Sequence, residues 1–414
     1  MSSYSELKIL EAALNLKKVV SKTPLQLNFN LSKKYGCNVF LKREDLQIVR
    51  SYKLRGAYNM ISQLSNDKLK NGVVCASAGN HAQGFAWSCK KLGIKGVVFM
   101  PIVTPKQKVR QTKMFGEDWI KIILTGDSFD DCQQAAKSYT TEHDMTFIPP
   151  FDDFRIIEGQ ATVAVEIMDD RSEVDYIFVP IGGGGLAAGI GAFYKTFSPT
   201  TSIIGVEPEG APSMKKALEL GKPIYLDKIN SFVDGAAVKK VGDITFEICK
   251  EVIDDVVLIP EGKVCTTILQ LYNQDAIVLE PAGALSISAL DSYQELIKGK
   301  NVVCVISGSN NDIDRIPEIK ERSLQYEGLK HYFLINFVQR PGALKEFLNN
   351  ILGDNDDITR FEYMQKTNKE FGPALVGIEV PSKEDYNILI SKMNEQQLDY
   401  TEINKNDTLY GYLI

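Results

Sequence analysis

The chain reads as an α/β protein built on mostly parallel, twisted sheets, followed by a smaller α+β domain of ferredoxin-like order. Three observations predict this. From about residue 38, short β-branched runs alternate with longer amphipathic ones, the pattern of βαβ units. One such run leads directly into four consecutive glycines, Gly182 to Gly185. Past a polar stretch near residues 320–328, the order changes to β-α-β-β-α-β. At 414 residues the chain is long for one core, so two or three domains are expected.

The elements follow in order. "GVVCAS" (72–77) predicts a strand, and Ala82, Phe85, Ala86 and Cys89 then keep helical spacing until Gly93 stops the helix. "IKGVVFMP" predicts the next strand. Thr104-Pro105 has the form of a helix cap with proline at the first helical position, and Gly116 fits the far end. "WIKIIL" is again a strand, and Ser128 with Asp131 has capping-box spacing before another helix. "VDYIFVPI" (174–181) runs into the glycines, a helix and then the strand "TSIIGVEP"; "NVVCVIS" (301–307) closes the region. The polar stretch "KERSLQYEG" suggests a linker. After it, "HYFLINF", "PGALKEFLNNI", "ITRFEYMQ", "ALVGIEV", "YNILISKM" and "DYTEIN" supply the six elements of a separate domain.

Composition excludes several classes. With 47 basic and 53 acidic residues the formal charge is −6 and no long block of one sign occurs, which argues against nucleic acid and against a polybasic membrane contact. The start "MSSYSELKIL" has no basic region followed by an apolar core, so no secretory signal and a cytoplasmic location are expected. The seven cysteines (37, 75, 89, 132, 249, 265, 304) are scattered and include no C-x-x-C pair, so they read as reduced core residues. Tyr176 to Tyr194 is uncharged and long, but its glycine cluster speaks against a membrane helix.

A strand, four glycines and a helix form a phosphate cradle, because backbone amides can approach the anion and the helix start adds partial positive charge. A plain tight turn would not need four glycines, each with an entropic cost. Gly183, Gly185 and Ala188 also match G-x-G-x-x-A, and Glu207 ends the next strand, so a nicotinamide oxidoreductase is a rival. That rival leaves two motifs unexplained. "SAGNHAQG" (77–84) joins a strand to a helix, where unpaired amides of Ser77, Ala78, Gly79, Asn80 and His81 could hold a carboxylate. Taken alone, Asn80 is better read as a helix cap and His81 as a partly buried polar residue. In "SYKLRGAY" (51–58), Ser51 offers a cap that puts Lys53 in a first helical turn. A lone lysine is ordinarily a solvated charge; one that forms a Schiff base must lose its proton near neutral pH, which burial and neighbouring cations favour.

Together "SYKLRGAY", "SAGNHAQG" and "GGGGL", in this order and spacing, resemble the pyridoxal-phosphate enzymes of fold type II, the tryptophan-synthase β group, and within it the threonine dehydratases (threonine ammonia-lyases). The resemblance covers about residues 5–320. The tail from about 328, with "QRPGALKEFL", resembles the single ACT-like regulatory domain of the biosynthetic short form. It implies a catalytic domain over 1–325 with a smaller subdomain inserted at about 54–155, and a regulatory domain over 326–414. It implies pyridoxal 5′-phosphate as cofactor, with Lys53 as its Schiff-base lysine and the base for the substrate α-proton. Asn80 is implied at the phenolic oxygen, Gly182, Gly183, Gly184, Gly185 and Leu186 at the phosphate, and Ser307 as a neutral partner of the pyridine nitrogen. The expected reaction is elimination of water from L-threonine to give 2-oxobutanoate and ammonia, with L-serine giving pyruvate.

Serine racemases share this fold and much of the same loop and are the nearest rival reading, but they place a serine where this chain has Ala78, and alanine cannot transfer a proton. Glu207, the Ala211 carbonyl and Ser213 resemble a cation site of related enzymes; serine in place of aspartate argues against Mg²⁺ and leaves room for K⁺. The bland alternative is a strand-end carboxylate facing solvent. Arg340-Pro341-Gly342-Ala343-Leu344 turns a strand into a helix, and by resemblance the domain would bind isoleucine as feedback effector. A homo-oligomer, dimer or tetramer, is implied. A purely regulatory protein with a decayed core is the remaining alternative, and the presence of Lys53, Asn80 and the glycines speaks against it.

Overall fold

A computed structural model describes residue 4, residues 7–365 and residues 369–413. The chain divides between Ile313 and Asp314, and each unit has its own sheets. In the first unit the strands are β1 (Leu25–Leu27), β2 (Asn38–Arg43), β3 (Val73–Ala76), β4 (Gly96–Met100), β5 (Ile120–Leu124), β6 (Thr146–Phe147), β7 (Tyr176–Pro180), β8 (Ser202–Pro208), β9 (Asp255–Ile259) and β10 (Asn301–Ile306). They form a six-stranded sheet in the order β1-β2-β10-β7-β8-β9 and a four-stranded one in the order β5-β4-β3-β6. Every pairing is parallel except β1 with β2. Strands β3, β4, β7 and β10 are buried almost throughout, as parallel strands covered on both faces must be.

Four helices frame the site: α1 (Lys53–Ser62), α2 (Asn80–Leu92), α3 (Phe154–Asp170) and α4 (Gly185–Phe197). They approach so closely that side chains are absent at the crossings. A Cβ on Gly84 of α2 would lie 2.8 Å from the Leu54 amide nitrogen of α1, and one on Gly159 of α3 would lie 2.6 Å from the Arg55 carbonyl oxygen. Glycine at these points lets the backbone of α1, and Lys53 with it, be gripped from two sides.

Beneath α1 lies a buried ionic network. Arg55 gives two bonds of 2.8 Å to the two Glu44 carboxylate oxygens, one of 3.0 Å to the Thr162 hydroxyl, and pairs with Glu166 at 2.8 Å. Lys42 reaches Glu166 at 2.6 Å and the Thr23 carbonyl at 2.7 Å. Burial alone would raise the Glu44 carboxyl, but the Arg55 guanidinium outweighs it and holds the group below its usual range. The arginine of "SYKLRGAY" is thus a foundation and not the neighbouring cation that acts on Lys53.

The structure corrects several sequence expectations. Pro105 is itself the cap of helix Lys106–Gly116, because Thr104 turns its hydroxyl back to the Pro101 carbonyl. Ser51 does not cap α1: Tyr52 holds that position, while Ser51 is drawn into a bridge with Gly308 and its buried hydroxyl finds no partner. The expected linker at 320–328 is largely helix, Ile316–Tyr326, and the division falls ahead of it, not at 325/326. Its Glu321 accepts from Lys330 at 2.6 Å and from the Tyr332 hydroxyl at 2.8 Å, so its polar residues have partners in the second unit. The expected strands and the Ser128 cap of helix Phe129–Glu142 are present, and Gly93 ends α2 at φ +70°. The uncharged run to Tyr194 is divided among β7, the glycines and α4, and no helix among the described residues is long and apolar enough to cross a membrane. All seven cysteines are buried thiols.

The second unit contains β11 (Lys330–Val338), β12 (Asp357–Tyr363), β13 (Phe371–Glu379) and β14 (Asp399–Glu402), an antiparallel sheet in the order β12-β13-β11-β14. Helices Ala343–Asn350 and Lys383–Glu395 bring Phe347, Leu389 and Met393 against Phe333, Ile335 and Val376 on one face. This is the expected β-α-β-β-α-β order. Helix Asp407–Leu413 was not expected; its Leu409 and Tyr410 pack with Tyr332, Leu375 and Ile403 in a second cluster. Gly342, at φ +89°, makes the anticipated strand-to-helix turn, and Arg340 pairs with Glu346 at 2.6 Å.

Removing one member of the network beneath α1 leaves a buried charge unpaired. Arg55→Ala is expected to destabilise the protein by about 3–5 kcal/mol, read as a lower midpoint in urea; a loss below about 1 kcal/mol would show that the network carries no stability.

Candidate active site

The site lies where parallel strands release the chain at their carboxyl ends, the usual crevice of open α/β sheets. β10 ends at Ile306 and gives Ser307; β7 ends at Pro180 and gives the glycine loop; β3 ends at Ala76 and gives Ser77 to Asn80. Contacts tie these loops together. The Tyr52 amide donates to the Ser307 carbonyl at 3.2 Å, placing the start of α1 beside the end of β10.

Lys53 is the first residue of α1. Its Nζ donates to the Pro150 carbonyl at 2.9 Å and lies 5.4 Å from the Tyr52 ring centroid. Burial depresses its ammonium to about 8, although the negative charge of Glu280 pulls the other way. A carbonyl is a neutral partner, so it fixes the amine without stabilising the ammonium as an ion pair would.

Asn80 begins α2 but does not cap it; Gly79 occupies that position, and no side chain caps the helix start. The Asn80 amide nitrogen instead donates to Glu280 at 2.6 Å, and its oxygen accepts from Asn310 at 2.7 Å. Glu280 is buried beside Gly308, close enough that a Cβ there would meet its carboxylate at 2.4 Å. Burial pushes this carboxyl up to about 7, Asp234 adding to the effect while Asn80 and Lys108 oppose it. Sequence reasoning missed Glu280. Its signal was the Glu-Pro pair that opens helix Pro281–Ser288, ordinarily only a helix start.

Ser77 accepts the Gly79 amide at 3.2 Å, and Ser77, Ala78, Gly79 and Asn80 are half-buried around the start of α2. His81 turns inward: its Nε2 is 3.1 Å from the Ile148 carbonyl. In the glycine loop, Gly184 caps α4 at φ +95°, a conformation that other residues rarely adopt. A Cβ on Gly183 would lie 2.2 Å from the Phe151 ring, so that ring rests on bare backbone. Thr245 fixes the loop by donating to the Gly183 carbonyl at 2.6 Å. Ser307 is buried at the end of β10.

Glu207, Ala211 and Ser213 meet at the start of helix Ser213–Leu220, but each polar side chain has a local task. The Glu207 oxygens accept the Met214 and Lys215 amides at 2.7 and 2.9 Å, and Ser213 donates to the Val238 carbonyl. Glu207 is buried, not facing solvent as the bland alternative had it, and burial pushes its carboxyl up to about 7. Each of its oxygens accepts one amide at the start of that helix.

Pyridoxal-phosphate-dependent enzymes match the chain over residues 16–308, and the C-terminal regulatory domain of threonine dehydratase matches residues 321–413. The biosynthetic L-threonine dehydratase of Halalkalibacterium halodurans is 59% identical over 407 residues, covering 98% of both chains. The chain belongs to the pyridoxal-phosphate-dependent threonine dehydratase family. The Bacillus subtilis enzyme of the same name is 58% identical, over 98% of this chain and 96% of its own. Among solved structures, the processed threonine deaminase isoform 2 of Solanum lycopersicum is 39% identical with a TM-score of 0.73, over 76% of this chain and 92% of that one. Maize serine racemase is 28% identical with a TM-score of 0.71, over 77% and 98%.

The residues present fit the cofactor of the family. A glycine loop whose Gly183 has no room for a Cβ against Phe151 opens a helix, the buried and depressed Lys53 is held by the neighbouring Pro150, and a buried hydroxyl with no charge ends β10. With cofactor removed, the Lys53 amine is neutral and reactive above its own pKa. An amine-directed label should therefore modify Lys53 half-maximally near pH 8, followed by peptide mapping; a half-point near the ordinary 10.5 would refute the depressed amine.

Proposed function

We propose that the protein converts L-threonine to 2-oxobutanoate and ammonia, and L-serine more generally to pyruvate, as the committed step toward isoleucine. The observation that carries this reading is Lys53: an amine buried at the foot of a glycine anion cradle, held by a neutral carbonyl and depressed to about 8. Gly182 to Leu186 would hold the phosphate of pyridoxal 5′-phosphate, Asn80 its phenolic oxygen, Ser307 its ring nitrogen and Lys53 its carbonyl carbon. When bound, the cofactor supplies the electron sink that acidifies the α-carbon.

The protein's own groups then divide the work. The Ser77 and Gly79 amides are already taken by the Phe99 carbonyl and the Ser77 hydroxyl, so the amides of Ala78, Asn80 and His81 at the helix start hold the substrate carboxylate. The Lys53 amine takes the α-proton, a role its depressed basicity suits near neutral pH. The β-hydroxyl departs as water, and the released enamine hydrolyses to the oxo acid and ammonia. Ser307, a hydroxyl and not a carboxylate, would hold the cofactor's ring nitrogen without keeping it protonated, which would suit prompt elimination. Ala78 has no proton to give, so the reaction ends in elimination and not in inversion.

The second unit is the regulatory part, with isoleucine as its effector, and the protein acts as a cytoplasmic homo-oligomer, a dimer or tetramer. Sedimentation of the purified protein checks the assembly.

Lys53→Ala should lower kcat for threonine by about 100- to 10,000-fold and abolish the visible band of lysine-linked cofactor; a variant that kept both would sink the assignment. Incubation with L-serine should yield pyruvate, and accumulation of D-serine would favour the racemase reading. Isoleucine should inhibit the full chain and leave a chain ending at Ile313 unaffected; an equal response in both would remove the effector from the second unit.

A further inference from the structure

Between β6 and α3 the chain runs through Ile148-Pro149-Pro150-Phe151-Asp152, a strap whose polar groups are held at both ends and at two carbonyls between. Two prolines leave it without amide donors at 149 and 150 and stiffen it, since each fixes its own φ and restricts the residue before it. The strap is anchored at both ends. The Ile148 amide donates to the Val74 carbonyl at 2.8 Å, and the Asp152 carboxylate accepts the amides of Asp243, Ile244 and Thr245 at 3.0, 2.9 and 3.2 Å. Between the anchors two carbonyls receive side chains: Ile148 faces His81 Nε2 at 3.1 Å, and Pro150 accepts Lys53 Nζ at 2.9 Å.

A carbonyl only accepts, so the His81 proton sits on Nε2, and Nδ1 is left as a buried lone pair without a partner. Such a group costs free energy. Burial, reinforced by the nearby Lys53 charge, also drives the ring down to about 3, so it remains neutral across the working range of the enzyme. A second cation beside Lys53 is thereby avoided, while the ring still fills the space and donates one bond.

We infer that His81 is a positioning residue that acts through the stiff Ile148–Pro150 strap, placing the Pro150 carbonyl where it receives the free Lys53 amine and aims it at the substrate. This deepens the reading above and rests on Lys53 being the reacting amine. The His81 ring is tied through Nε2 to the Ile148 carbonyl, and it transmits its hold over two proline-stiffened residues.

The test uses holoenzyme carrying His81→Phe, which keeps a planar ring without the donor, and His81→Gln, whose amide can replace Nε2–H. In His81→Phe, kcat for threonine should fall by about 10- to 100-fold with KM nearly unchanged. The pH dependence of the visible lysine-linked band should move together with the matching limb of kcat, and Gln should restore most of both. An unshifted pH profile in His81→Phe, or Gln no better than Phe, would overturn the inference. A measurement without variants stands beside it. The chain has three histidines, 81, 143 and 331, so ring-¹⁵N spectra of the unaltered holoenzyme can be assigned. A neutral, Nε2-protonated His81 that does not titrate down to about pH 5 is expected; titration near the ordinary value, or a proton on Nδ1, would refute the mechanism even if the variants failed to fold. Failure of the underlying reading is separate: turnover retained in Lys53→Ala would dismiss Lys53 whatever His81 does.

Discussion

An amine that has to serve as a base near neutral pH must be hidden from water and kept out of reach of a carboxylate that would lock its proton on. Much of the first unit can be understood from that constraint if Lys53 is, as proposed, that amine. Burial lowers the ammonium, a carbonyl orients it without charge, and the nearest carboxyl, Glu280, is itself raised to about 7 and turned toward Asn80. The strongest cation in the same helix, Arg55, is neutralised on the opposite side by Glu44 and Glu166. Charges that must exist are paired far from the amine, and those close to it are weakened.

The same constraint explains the crowding of small residues. A lysine at the first position of a helix is normally wet, and burying it requires neighbouring helices to close over the helix start. Gly84 and Gly159 permit this, since any side chain there would strike the backbone of α1. The motifs "SYKLRGAY" and "SAGNHAQG" are therefore halves of one packing arrangement as well as chemical signatures.

This division also shows what could be read from the chain alone. Strands β3, β4, β7, β8 and β10 were legible because buried parallel strands are written as near-continuous apolar, β-branched runs, the half-exposed edge strand β5 because its isoleucines flank Lys121, and the glycine loop because four glycines have few other uses. Lys53, Asn80 and Ser307 were singled out by resemblance, and the roles proposed for them rest on it. Glu280 was not, since its role depends on an approach between residues 200 positions apart in sequence. Ser51 and Pro105 were misread for a related reason: local cap patterns compete with tertiary partners, and Gly308 and the Pro101 carbonyl prevailed. The helix at 316–326 was taken for a linker because its polar residues find partners on β11 and not in an apolar core.

The cysteines have a consequence of another kind. All seven thiols are buried, and burial raises Cys75, Cys89, Cys249 and Cys304 far from the thiolate form that reacts with oxidants and alkylating agents. They are spread through both sheets of the first unit, in β3, α2, β10 and the helices around them. The native enzyme is in effect chemically silent toward thiol reagents, and each cysteine becomes visible only when its own part of the structure opens. The first unit thereby carries an internal set of clocks for local unfolding, spread over its two sheets.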